Sequence, residues 1–437
     1  MTEAQAISPT RRLAAWLLVA VAVLSVVGGV IAAYPDWMTG VIGWVACLLS
    51  LGRMRPMQRK VALALVIVGA TGIAWGALSG HPGLVNRALT QNTAMVGMLI
   101  AVSFLQLISM DHGRAQERLS RGRGALLRTL VGVHLFGAVI NYSAVAIFAD
   151  RLSARARLSV DQATALAQSF NIGALWSPFY GAMAVALTFA PNASLTRLMA
   201  IGVPVAIGGI FITWLTLSSS RHDRARDFEG YPLHLEALWV PFVLALCVLG
   251  LHEARPDWSV LAVIALMAPV VTALTLLFRE GTRAGSTMLR LVHVRLPEMG
   301  GEMLLFMAAG VLSAGVSGTL AALDFDVPFR QYGAFEASLT VSAIVFAAWL
   351  GLHPVILTAV AGPWIAPLNP DPHVLAMTLM MPWAIAMPGC PMSNTLLAMH
   401  ARYQTPVREL LRRNRIFGAK MLLLCIAMLY AYERLAA

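Results

Sequence analysis

Ser169-Phe-Asn-Ile-Gly-Ala-Leu-Trp-Ser-Pro-Phe179 and Met387-Pro-Gly-Cys-Pro-Met-Ser-Asn-Thr395 decide the fold of this chain. Each lies inside an apolar run of membrane-spanning length and interrupts it with Gly, Pro, Ser and Asn. Pro178 and Pro391 occupy matching places (391 − 178 = 213). Proline removes an N–H that the helix ladder needs, and glycine loosens the backbone. Within hydrocarbon, the freed backbone groups are tolerated only where protein or a water-filled cavity satisfies them. Paired interruptions of this kind therefore point to a binding site.

The rest of the sequence sets those interruptions in a membrane. Of 437 residues, 58% are hydrophobic and only 12% charged, and the mean hydropathy is +0.73. Soluble domains are nearer a quarter charged, so the composition is that of an all-α polytopic membrane protein. The net charge of +11 does not indicate nucleic acid, because the basic residues are scattered through short loops instead of forming one phosphate-binding face. Cys47, Cys247, Cys390 and Cys425 all lie in apolar segments without metal-ligand spacing. Arg11-Arg12 precedes an apolar run long enough to span, and a second run follows at once, so the first helix reads as uncleaved. No Walker-type nucleotide loop is present.

Apolar runs predict spans near 13–33, 38–52, 61–80, 92–110, 160–190, 197–218, 234–250, 257–278, 298–319, 374–400 and 415–433. Two further runs, 124–150 and 333–368, read as re-entrant hairpins. With the N-terminus cytoplasmic, the basic clusters then share one side: Arg53 to Lys60, Arg114 to Arg123, Arg151 to Arg157, Arg221 to Arg226, Arg279 to Arg295, and Arg402 to Arg415. Arg87, Arg197, Arg255, Arg330 and Arg434 fall on the other. If either hairpin crossed the membrane, the loops after it would change side and this positive-inside bias would collapse. After the first helix the chain divides into two halves of the same order, with three spans, a hairpin, a broken span and a final span. The first half begins outside and the second inside, so the repeats are inverted, and inverted repeats place substrate near the bilayer midplane.

Asn171-Ile-Gly…Ser177-Pro178 resembles the broken helix of the divalent anion:sodium symporters, within the wider ion transporter superfamily of citrate and arsenite carriers. Pro388-Gly-Cys-Pro-Met-Ser-Asn394 is similar to that family's second broken helix. Ile140-Asn-Tyr-Ser-Ala-Val-Ala146 looks like a degraded Ser-Asn-Thr hairpin tip, and Gly351-Leu-His-Pro354 falls where the second tip belongs. The hydropathy and charge reading gives about eleven transmembrane helices plus two re-entrant hairpins, and the resemblance implies an elevator-type mechanism and a homodimer. It divides the chain into scaffold helices at 1–123 and 219–332, and a transport domain whose halves are 124–218 and 333–437.

The candidate substrate- or ion-binding residues are Asn141, Tyr142, Ser143, Asn171, Gly173, Ser177, His353, Pro354, Gly389, Ser393, Asn394 and Thr395. Asn171 and Asn394 carry amide dipoles inside apolar spans, for ligand or ion contact or for capping a half-helix. Ser177 and Ser393 face the same choice, since a hydroxyl also bonds back to its own helix. Gly173 and Gly389 suit special backbone angles or tight packing; Pro178, Pro388 and Pro391 are structural. His353 is a candidate proton carrier or anion contact, against a histidine bonded to a nearby carbonyl. His134 reads as structural, and Glu302 and Glu336 as interfacial carboxylates more than proton relays. Trp176, Tyr142, Tyr180 and Trp383 flank the site, as pocket lining or as ordinary packing. A Na⁺ site falls near Asn141, Asn171 and Asn394.

No strong basic residue is expected at the breaks, so anion binding would rest on helix dipoles, amides and hydroxyls. The expected function is secondary active transport of a small organic anion, di- or tricarboxylate-like, across the inner membrane with Na⁺ or H⁺. Its partners are that substrate and the bilayer, with no cofactor beyond the coupling ion. The rivals are an exporter of an oxyanion or xenobiotic acid, the membrane subunit of a binding-protein-dependent carrier, and a polytopic membrane enzyme. The enzyme would cluster its titratable residues at one interface, whereas here the polar residues gather at two mid-span breaks.

Overall fold

The computed structural model describes residues 8–109, 119–154, 156–219, 227–231, 239–323 and 330–436. Arg114, Arg118, Arg155, Arg221, Arg224 and Arg226 of the charge pattern lie outside the described residues. The helices begin with α1 (Pro9–Val30), α2 (Trp37–Ser50), α3 (Pro56–Leu78), α4 (Leu84–Thr90), α5 (Thr93–Val102) and α6 (Gln106–Ser109). Next come α7 (Arg123–Ile140), α8 (Tyr142–Ser153), α9 (Val160–Ile172), α10 (Gly181–Phe189), α11 (Leu195–Ser218) and α12 (Trp239–Ala254). Then follow α13 (Val260–Glu280), α14 (Ala284–Val294), α15 (Gly300–Leu323), α16 (Ala334–Trp349) and α17 (Pro354–Ile365). The last three are α18 (Pro372–Ala386), α19 (Asn394–Tyr403) and α20 (Val407–Ala436). Strands are confined, among the described residues, to a two-residue antiparallel pair, β1 (Ser120–Arg121) with β2 (Glu229–Gly230).

Eight helical stretches among the described residues are long and apolar enough to cross a membrane, so this is a multi-pass membrane protein. Length alone does not count eleven. The α2 helix, at 14 residues, rises only about 21 Å, and Val260–Leu323 reads as one apolar stretch although α13, α14 and α15 divide it. Residues 284–294, expected to be loop, form α14, because Ala284, Leu291 and Val292 recur at helical spacing and are buried while Arg290 stays exposed.

The chain splits into two compact units. One comprises Met1–Met110 and Val243–Asp326, the other Asp111–Phe242 and Val327–Ala437. In the first unit, α1 packs on α2, α5 and α13, and α3 packs along α15. Glycine makes the α3–α15 contact possible. A Cβ on Gly315 would lie 2.3 Å from Gly69 O, and one on Gly72 would lie 2.4 Å from Gly315 O. Lipid tails are as apolar as the helix faces, so such association rests on close backbone approach at small residues. Two polar side chains add to it: Asn92 Nδ2 donates to Phe306 O at 2.7 Å, and Ser25 Oγ to Thr93 O at 3.1 Å.

The second unit repeats one arrangement twice. Shifting the first set by the 213 residues that separate the prolines brings α8, α9, α10 and α11 onto α17, α18, α19 and α20, with starts within a residue or so. In each set a helix folds back on its predecessor (α7 with α8, α16 with α17), and the interrupted helix packs beside it. The returning legs α8 and α17 have 12 residues each, about 18 Å, short of the roughly 30 Å hydrocarbon core. Asn141 turns the first hairpin alone, at φ 53°; the second uses Gly351 at φ 117°. Ion pairs join the sets: Arg402 and the Tyr403 hydroxyl reach the Asp150 carboxylate at 2.7 and 2.6 Å, and Arg413 bridges Asp161 and Glu409. Glu336 accepts from Gly333 N at 2.9 Å and so caps α16, while Glu302 is exposed in the first turn of α15.

The glycine packing makes a direct prediction. Gly315→Ala should cost about 1–3 kcal/mol by overpacking against backbone. Gly250→Ala, at a helical position with nothing within 4 Å of the new Cβ, should be neutral or stabilising. Thermal unfolding in detergent checks this, and equal unfolding temperatures for both variants refute it.

Candidate functional site

The first interruption begins where the helix tightens. Gly173–Leu175 form a 3-10 turn, residues 176–180 are non-helical, and α10 resumes at Gly181. The second runs through the 3-10 turn Met387–Gly389 and ends at Ser393, the N-cap of α19. About 22 Å of α18 precedes that break and about 15 Å of α19 follows it, so it falls well inside the span. Proline alone does not explain the breaks, since Pro204, Pro269, Pro363 and Pro382 all sit inside continuous helices. What differs is a run of turn-forming residues with partners for the backbone they release.

Those partners repeat in the two halves. Tyr180 N donates to Ser177 O at 3.3 Å, and Ser393 N to Cys390 O at 3.0 Å, the same pair 213 residues on. Ala184 N to Tyr180 O and Leu397 N to Ser393 O match in the same way. Side chains follow the rule as well. Ser177 Oγ donates to Ala138 O near the end of the first hairpin's leading leg, and Cys390 Sγ approaches Leu352 O at 3.8 Å beside the second tip. Cys390 is thus the counterpart of Ser177, an equivalence already implicit in pairing the adjacent prolines.

The predicted residues divide into several groups. Asn141 and Ser177 come together: Asn141 Nδ2 donates to Phe179 O at 3.0 Å, closing the first tip onto the first break. Tyr142 lies edge-on to Phe170 with ring centroids 6.3 Å apart, and Ser143 is half-buried next to it in the chain. Asn171 is buried but turned into its own helix, Nδ2 donating to Ala167 O at 2.8 Å. Gly173 is buried, and a Cβ there would touch the Tyr180 ring at 3.4 Å. His353 caps α17 by accepting from Val355 N at 3.2 Å, not by bonding a carbonyl, and its ring stands edge-on to Trp383. Pro354 is the first residue of α17. Ser393 accepts from Leu396 N at 3.4 Å, Thr395 is buried in the first turn of α19, and Asn394 is exposed. Asn171 therefore precedes its break and Asn394 follows its own, so the two are not equivalent.

His134 has a structural role. The carbonyl of Ser169 can only accept, so His134 Nδ1, 3.2 Å away, carries the proton, and Nε2 accepts from Trp176 Nε1 at 3.0 Å. The 3-10 turn accounts for this arrangement: Gly173 N bonds Asn171 O and Phe170 O in place of Ser169 O, and His134 takes up that carbonyl.

Gln168, Asn414 and Arg415 were missed. Gln168 Nε2 donates to Asn414 Oδ1 at 3.0 Å, and Asn414 Nδ2 donates to Pro388 O at 2.8 Å, linking α9 to the second break through α20. Arg415 donates from Nε to Gly389 O at 3.2 Å and from Nη2 to Trp349 O. This corrects the expectation that no strong base lies at the breaks. The place of Arg415 among the loop cations does not hold, because α20 starts at Val407 and carries it about 12 Å along the helix. The Asn414-Arg415 pair, seven and six residues before the apolar stretch Met421–Leu424, was the available signal. The first break's 3-10 turn packs on α18 and the second's on α9 and α20, so the two breaks are neighbours within this unit. No group of three or more His, Cys, Asp or Glu able to hold a metal occurs among the described residues.

No protein-family model matches the chain, and no curated protein matches. Among solved structures it is similar to the crystal structure of the Alcanivorax borkumensis YdaH transporter, described as having an unusual topology. The identity is 16% over 97% of this chain and 98% of that one, with a TM-score of 0.41, too low to carry fold or function across.

The matched bonds at the breaks can be tested separately. Ser177→Ala should cost about 1–3 kcal/mol by leaving the buried Ala138 carbonyl without its donor. Cys390→Ser keeps a donor and should change stability by less than about 1 kcal/mol. Thermal unfolding of both variants measures this, and an equal loss at the two positions contradicts the equivalence.

Proposed function

We propose that the chain is a secondary active transporter that moves a small organic anion of the di- or tricarboxylate kind across the inner membrane, driven by Na⁺ or H⁺. The observation that carries this reading is the pair of neighbouring mid-span breaks in one compact unit, each closed by its own short hairpin through matched hydrogen bonds. Irregular backbone at that depth is characteristic of binding sites in carriers built from repeats. In this reading the unit with the hairpins is the transport domain, the other unit is the scaffold, and the repeats are inverted. The resemblance to the symporters adds elevator movement, a homodimer and a cytoplasmic N-terminus.

Coupling follows from the cost of bare polar groups. A site holding anion and coupling ion together has its amides, carbonyls and hydroxyls paired, and can cross an apolar slot. A half-filled site leaves them unpaired at several kcal/mol, so it stays where water reaches it. Asn141 and Asn171, whose amide N–H groups are bonded to carbonyls, have side-chain oxygens suited to a hard cation such as Na⁺.

The test is uptake of labelled succinate and citrate into proteoliposomes under an imposed Na⁺ gradient and, separately, a pH gradient. One gradient should drive accumulation. Asn141→Ala should lower the rate roughly tenfold, the size of one net hydrogen bond, with the protein still folded. Uptake that neither gradient drives, for any carboxylate offered, rejects the reading.

A further inference from the structure

Arg413 and Arg415 lie two residues apart on α20 but in different electrostatic settings. Arg413 is answered by Asp161 and Glu409. Arg415 has no carboxylate partner among the described residues; its bonds go to the carbonyls of Gly389 and Trp349. These are the final carbonyls of a three-residue 3-10 turn and of α16, and an α-helix end such as that of α16 supplies only about half a charge. Arg415 is half-buried, and a cation partly withdrawn from water without a full counter-charge favours any anion able to reach it.

Two more features lie on the same turn. The indole N–H of Trp349 is buried with no hydrogen-bond acceptor. It borders Gly389 together with Arg415: a Cβ on Gly389 would lie 2.9 Å from Trp349 Nε1 and 3.0 Å from Arg415 Cγ. The turn that Arg415 holds runs on through Cys390 to Ser393 and opens the ten-residue helix α19, with its positive dipole end at that turn. An unanswered cation, an unanswered N–H and a helix start therefore converge on residues 389–393.

The repeat supplies an internal control. The place of Arg415 in the first half is Gly202 on α11 (415 − 213 = 202), where an added Cβ would lie 2.0 Å from Leu175 O. There the break's carbonyl packs directly on backbone, with no charge. Of these two matched places, only the one at the second break carries a positive charge.

We propose that the Arg415 guanidinium is the fixed cation of the site and pairs with a carboxylate of the transported anion at the second break. This rests on the transporter reading and gives it a polarity: one carboxylate on Arg415, the rest of the substrate toward the neutral first break. Arg415 is then a determinant of specificity for anions over neutral isosteres of the same shape.

The experiment compares wild type with Arg415→Lys and Arg415→Gln in full-length purified protein, by calorimetric titration with succinate, citrate and benzoate. Succinamide is the neutral control. Gln can still donate to a carbonyl, so a purely structural staple would survive in it, whereas a counter-charge would not. The expected result is anion binding by wild type, weaker binding by the Lys variant, and a loss of roughly 10- to 100-fold in the Gln variant. Phenylglyoxal labelling of wild type, read by mass spectrometry, gives a measurement independent of variant folding. Succinate or citrate at saturation should protect Arg415 and leave exposed Arg412 unchanged. Equal anion affinity in the Lys and Gln variants, or no protection of Arg415, overturns the inference and leaves the transporter reading standing. Wild type that binds none of the anions overturns both.

Discussion

Every backbone N–H and C=O at membrane depth must find a partner in the protein or in a water-filled cavity, and the second unit is organised around the two places where the helix ladder cannot provide one. At the first break the partners are neutral: Ser177 on Ala138 O, Asn141 on Phe179 O, and the Trp176–His134–Ser169 chain. At the second they are Asn414 on Pro388 O and Arg415 on Gly389 O and Trp349 O. Each hairpin tip is thereby fastened to its own break. Each of these donors has a net worth of about 1 kcal/mol, small enough for the contact to be exchanged for water, as the proposed transport would require.

The first unit shows how the same lipid environment is met without breaks. Its α3 and α15 helices keep their own ladders and associate through glycines that let backbone meet backbone. Rigid close packing suits a scaffold. Hydrogen bonds that can be exchanged suit a site that must release what it binds. The two units thus divide the physical tasks in a way that fits the proposed function.

Much of this was legible in the sequence because it follows from local chemistry. The interruptions at 173–180 and 387–393 were announced by Gly, Ser and Pro in apolar runs, and the 213-residue spacing of Pro178 and Pro391 gave the register in which α8–α11 correspond to α17–α20. The roles of individual residues were less legible. Asn171 and Asn394 looked like a pair, yet one folds into its own helix and the other is exposed. Cys390 was passed over because a thiol in an apolar segment looks inert, although it stands where Ser177 stands.

Arg415 marks the boundary between the two kinds of information. Hydropathy, proline and glycine act on the residues that carry them, so the membrane spans, the matching interruptions of two helices and the hairpins before them can be read along the chain. Helix packing alone brings a loop-like arginine on α20 to the second break and sets Gly202 in the matching place at the first. The reason is reach: hydrogen bonds from Gln168, Asn414 and Arg415 join residues 26 to 246 positions apart. No local propensity specifies those separations; they are set by how α9, α18 and α20 pack.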